Sequence, residues 1–96
     1  MKPPQFEWDI KKAGSNEAKH GVTFGEAITV FADPLARIFE DPDHSENERR
    51  EILIGHSAHR RLILVSFTGT DHNIRLLSAR TATRKERKDY EENVES

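Results

Sequence analysis

The stretch Arg61–Thr68 reads RLILVSFT, and Asn73–Arg80 reads NIRLLSAR. Both are rich in branched and aliphatic side chains, shorter than an ordinary helix and bounded by turn residues, which reads as strand. Only Gly69–His72 lies between them. That is too little chain for a crossover helix, so the two strands pair antiparallel as a hairpin. Their apolar residues stand at consecutive positions, as in Leu62–Val65, rather than in strict alternation. Such a pattern expects both faces of the sheet to be covered, at least in part.

Working outward, Arg50–His56 carries Ile52, Leu53 and Ile54 and joins the next strand through Ser57–Arg60, again a hairpin-length turn. Leu35–Glu40 is a short fourth strand closed by Asp41-Pro42. Upstream the period changes. Asp9 caps a helix over about residues 10–20, with Lys19 and His20 in its last turn suiting the negative end of the helix dipole and Gly21 stopping it in a left-handed conformation. Trp8, just before the cap, anchors the entry. Thr23-Phe24-Gly25-Glu26 has capping-box spacing, and Phe24, Ala27, Ile28 and Phe31 form one apolar stripe. Asp33-Pro34 ends this second helix, because the residue before a proline is driven out of helical geometry. Thr83-Arg84-Lys85-Glu86 is another capping box and opens a last helix through about Asn93. The expected architecture is α+β: two N-terminal helices, a four-stranded antiparallel meander sheet and a C-terminal helix.

The chain has 96 residues, 34% hydrophobic and 33% charged. That is one domain, over residues 1–96, with a small core and a heavily charged surface. Without cysteine there are no disulfides, thiolate metal sites or cysteine nucleophiles. The opening MKPPQFEWDI lacks the apolar run of a secretory signal, and no apolar run approaches the roughly 20 residues of a membrane helix. A soluble, cytoplasmic protein with no membrane partner is expected. The overall charge is −2, yet Arg49–Lys88 carries a net +7. A strand region dense in guanidinium groups suits a phosphate-rich partner. It suits equally a protein partner of opposite charge, or a merely solvated surface.

By simple alternation, Arg50, Ile52, Ile54 and His56 share one face of their strand, and Ile74, Leu76, Ser78 and Arg80 share one face of theirs. A favourable register brings Arg50 and Arg80 together at one edge of a sheet face, where two rigid cations clamp a phosphodiester. Tyr90 then lies over a base or reaches the same phosphate. The plain alternative pairs Arg50 and Arg80 with Glu48 and Glu51 as surface salt bridges. The five histidines include no His-Glu-x-x-His pattern, so neither a metal site nor any other cofactor is expected. His20 sits at a helix end, where it complements the dipole or transfers protons.

Several of these residues belong to a familiar set. Phe6-Glu7-Trp8-Asp9, Lys12, Asn16, Lys19-His20-Gly21-Val22, Phe24 and Ala27 resemble the start of the BrnT toxin family. So do Val30-Phe31, Asp33-Pro34, Arg50 five residues before Gly55, Ile74 through Ser78-Ala79-Arg80, and Glu86-Arg87 followed by Tyr90. The resemblance implies a RelE-like ribonuclease toxin of a type II toxin–antitoxin pair that cuts mRNA and inhibits translation. A BrnA-like ribbon-helix-helix antitoxin masks it, in a toxin–antitoxin heterotetramer. RNA then lies on a basic sheet face flanked by the last helix. Cleavage is metal-independent: Arg50 and Arg80 stabilise the phosphorane, with Tyr90 beside them, and His20 and Glu48 are the open candidates for proton transfer. Lys19, Arg84 and Arg87 hold the RNA backbone. One departure is Arg49, which stands where family members often place an acid. The rival reading is a non-catalytic toxin homologue, an antitoxin-binding module acting in operon repression.

Overall fold

The computed structural model describes residues 3–41, 49–69 and 72–95. Its elements are β1 (Gln5–Glu7), α1 (Ile10–His20), α2 (Phe24–Val30), β2 (Arg37–Glu40), β3 (Glu51–His56), β4 (Leu62–Gly69), β5 (Asn73–Thr81) and α3 (Arg84–Glu95). The strands form a sheet in the order β1-β5-β4-β3-β2. From β2 to β5 it is the expected antiparallel meander.

A fifth strand corrects the expectation of four and makes the sheet mixed. β1 pairs parallel with β5, Phe6 opposite Ile74. Three residues carry no period to read, and their partner lies far along the chain. Edge-to-face packing of Phe6 on Phe31, with ring centroids 5.1 Å apart, anchors the strand. β2 starts later than expected, because Leu35 and Ala36 form a turn on Asp33. The Leu35 N–H donates to Asp33 Oδ1 and the Ala36 N–H to the Asp33 carbonyl.

The helix starts follow the sequence, as does the end of α1, whereas α2 stops at Val30 and tight i−3 turns carry the chain on to Asp33. Asp9 accepts from the N–H groups of Lys11 and Lys12, and Gly21 stops α1 at φ 68°. Thr23 Oγ1 accepts from the Glu26 N–H, but the reciprocal half of this capping box is missing. Glu26 instead turns inward, 5% exposed, onto Arg61 and Ser57 Oγ.

The sheet has a closed and an open face. On the closed face Leu53, Ile63, Val65, Phe67, Leu76 and Ala79 pack against Val22, Phe24, Ala27 and Val30. Gly55 lets this layer approach: a Cβ there would stand 2.8 Å from Ala36 Cβ and 3.0 Å from Asp33 Oδ2. α1 lies beside β5, past the end of β1. The buried Asn16 carboxamide donates to the Ala79 carbonyl (2.8 Å) and accepts from its N–H (3.0 Å), replacing a neighbouring strand.

Candidate functional site

Opposed residues of an antiparallel pair point to the same side, so the register writes out the open face in rows. One row is Arg37, Ile54, Leu64 and Arg80. The next is Phe39, Ile52, Ser66 and Ser78. Beyond it Thr68 lies opposite Arg75, and Arg50, continuing the alternation of β3, falls in line with them.

α3 covers the first row and the one before it, where Leu62 lies opposite His56. Tyr90 buries its ring with Ile54, Leu62 and Leu64, and its hydroxyl donates to the Leu35 carbonyl at 3.1 Å. Burial, and then the Asp33 carboxylate, raises its pKa. Two arginines hold the ends of the helix. Arg80 donates from both terminal nitrogens to Glu86, each at 2.8 Å, and Arg37 Nη2 donates to the Asn93 carbonyl at 2.8 Å. Glu86 also completes the second capping box, accepting from the Thr83 N–H while Thr83 Oγ1 accepts from its own. The Arg80 bonds hold its carboxyl far below the usual carboxylate range, at about 2, and raise Arg80 in turn. Beside α3 opens a cleft of about 210 Å³, lined by Arg37, Phe39, Ile54 and Leu64 of the sheet and Glu86, Asp89, Tyr90 and Asn93 of the helix.

The expected residues do not all meet. Arg50 and Arg80 share the open face but stand four residues out of register along it. From ordinary strand dimensions that is roughly 16 Å between their Cα atoms, so they do not converge at one edge. Nor do Ile74 and Leu76 share a face with Arg80. A bulge at Leu77, where Ser66 opposes Ser78 but Phe67 opposes Leu76, turns them into the closed core and brings Arg75 to the open face. The salt-bridge alternative fails for Arg80, whose partner is Glu86. Arg84 and Arg87 are exposed on α3. Lys19 and His20 end α1, and neither side chain makes a hydrogen bond or ion pair among the described residues. Glu48 lies outside the described residues.

Three residues of the face went unread in the sequence. Arg37 and Phe39 alternate on β2 and belong with Ile54 and Ile52, a register visible only across strands. Arg75 has the wrong parity until the bulge corrects it. On the far side of Tyr90, His56 meets its ring edge-on at 5.7 Å and has Asp33 Oδ2 3.8 Å from Nδ1. Among the described residues no three His, Asp or Glu side chains converge as metal ligands do.

A closed face that carries the core, and an open one that carries arginines, hydroxyls and a half-fitted helix, define a small α+β domain built around one accessible basic sheet surface. The family model for "Ribonuclease toxin, BrnT, of type II toxin-antitoxin system" matches residues 8–86. This chain therefore belongs to the BrnT ribonuclease toxins, and a cognate antitoxin is part of its biology. No curated protein sequence matches it. Among solved structures, the Brucella abortus ribonuclease toxin BrnT superposes with a TM-score of 0.64 at 24% identity, over 84% of this chain and 99% of that one, and shows the same fold. Among the described residues no helix is long and apolar enough to cross a membrane.

Proposed function

We propose that this toxin is a metal-independent endoribonuclease that cleaves mRNA, and that a BrnA-like ribbon-helix-helix antitoxin neutralises it in a heterotetramer. The observation that carries the reading is the open face. Arg50, Thr68 and Arg75 form one end of it, hydroxyl-bearing Ser66 and Ser78 its middle, and Arg80 with the exposed Arg84 and Arg87 the other end. Cations spaced along a trough follow a single strand from phosphate to phosphate rather than gripping one.

In the reaction the 2′-oxygen attacks the adjacent phosphorus, the 5′-oxygen leaves, and a 2′,3′-cyclic phosphate remains. Arg50, with Arg75 across Thr68, supplies positive charge to the phosphorane. Arg80 keeps α3 beside the trough through Glu86, and Lys19, Arg84 and Arg87 hold the backbone. Tyr90 forms the wall of the trough. Glu48 stands two residues from Arg50 in the chain, and His20 ends the helix beside β5. Loss of one limb of the pH–rate profile in Glu48→Gln or in His20→Gln assigns the proton carrier.

The test is RNA cleavage by the purified toxin in EDTA. Cleavage lost in Arg50→Ala, with folding intact, supports the reading. Absence of cleavage together with tight antitoxin binding supports the non-catalytic module instead.

A further inference from the structure

We propose that the cleft beside α3 is a subsite for one unstacked guanine base, an inference that rests on the ribonuclease reading of the open face. At about 210 Å³ it is smaller than the roughly 300–1,000 Å³ of pockets that take a whole small-molecule ligand. It is sized for a single ring system. Its floor is aliphatic, Ile54 and Leu64, and at its lip Phe39 projects from the edge strand with 46% of its surface exposed. A cleft with an aliphatic floor and an exposed aromatic ring at its mouth suits the face of a base. The slot is continuous with the row of Ser66 and Ser78 and then with Arg50 and Arg75. A base seated in it leaves its phosphates toward those arginines.

The polar groups choose among the bases. Glu86 is spent on Arg80 and the Thr83 N–H. The Asp89 carboxylate also lines the cleft and takes part in no hydrogen bond or ion pair among the described residues. An ionised carboxylate only accepts, through two oxygens side by side. Guanine alone presents two adjacent donors, N1–H and N2–H, on its Watson–Crick edge. Adenine and cytosine set an unprotonated ring nitrogen beside their amino group, and uracil flanks its one N–H with two carbonyls; each turns an acceptor toward the carboxylate. Arg37 gives one N–H to the Asn93 carbonyl, and its remaining donors complement the O6 and N7 acceptors of guanine.

The experiment titrates the intact toxin with GMP and, separately, with AMP, CMP and UMP, following the ring signals of Phe39 and Tyr90 by NMR. In parallel it measures cleavage of single-stranded RNAs that differ at one position. Shifts of both rings with GMP, at least tenfold weaker with the other nucleotides and abolished in Asp89→Asn, are expected. So is a preference for guanine beside the scissile bond that Asp89→Asn reduces about tenfold. Phe39→Ala, at an exposed position, should raise KM about tenfold with kcat nearly unchanged, and Phe39→Trp should restore binding. Equal or absent shifts for the four nucleotides overturn the subsite, as does base-independent cleavage by an active toxin. An inactive toxin that still discriminates GMP keeps the subsite and refutes the ribonuclease reading.

Discussion

The two faces of this sheet are made from the same strands, yet they solve different problems. The closed face meets α2 and the flanking segments with side chains that are almost wholly buried, such as Val22, Ala27, Val30, Ile63 and Val65. The open face has one covering helix, and that helix seals only the end around Ile54, Leu62 and Leu64. Beyond that end, Ile52, Ser66 and Ser78 remain half-buried, and Phe39 is exposed. Apolar burial, non-directional and proportional to area, suits the side that must hold the domain together. Guanidinium groups, expensive to bury and strong only when aimed, suit the side that must stay accessible. The face that carries stability and the face offered for function are thus separated by the thickness of one strand.

Substitutions on either side test this contrast. The largest effect belongs to the closed face. Ile63→Ala removes a fully buried side chain and should cost about 2–5 kcal/mol, enough to unfold much of a domain this small, as read by urea denaturation. Arg50→Ala should do the reverse, lowering RNA cleavage about 100-fold while shifting stability by no more than about 1 kcal/mol, the worth of a surface polar contact. A large loss of stability in Arg50→Ala would erase the distinction.

Glu26→Ala should cost about 2 kcal/mol. Arg61 and the Ser57 hydroxyl lose their carboxylate, and water offsets part of that loss because Arg61 is 40% exposed and keeps its bond to the Gly21 carbonyl. Arg61 is what keeps the Glu26 carboxyl below its ordinary pKa, with the Ser57 hydroxyl adding to it.

The smallest effect concerns the open face. The folded pKa of Glu86, at about 2, lies below the ordinary 4.5. Its contribution is therefore fully present above pH 4.5 and lost as the pH falls toward 2. The pair is partly solvated, so Glu86→Gln should cost only about 1 kcal/mol near neutrality and remove that part of the acid loss. Denaturation at pH 6 and pH 3, compared between the two proteins, measures it.

Much of the fold was written locally. Asp9, Thr23 and Thr83 mark helix starts because their side chains accept from backbone N–H groups within three residues, Gly21 marks an end because its N–H reaches back to the Glu17 carbonyl from a left-handed conformation, and the two hairpins follow from connections too short for anything else. β1 escaped notice because its three residues gain a partner only from β5, some seventy positions on. Glu26 has the spacing of a reciprocal cap, but its rival partner, Arg61, is distant in the chain. Of the expected site, the arginine-rich strands and their sheet were legible, but the meeting of Arg50 with Arg80 was not a property of either strand.

Read along the chain alone, the residues give the order of elements from α1 onward, the antiparallel core of the sheet, the concentration of positive charge and the family. The elements rest on neighbours along the chain, and the family on residue types at fixed positions. Which cations share a row was settled in three dimensions, because a side chain's face depends on parity and its neighbours on register. A single extra residue at Leu77 reverses that parity, taking Ile74 and Leu76 into the core and turning Arg75 outward. The same register places Arg37 and Phe39 beside Tyr90 of α3, where a cleft exists that no one segment contains.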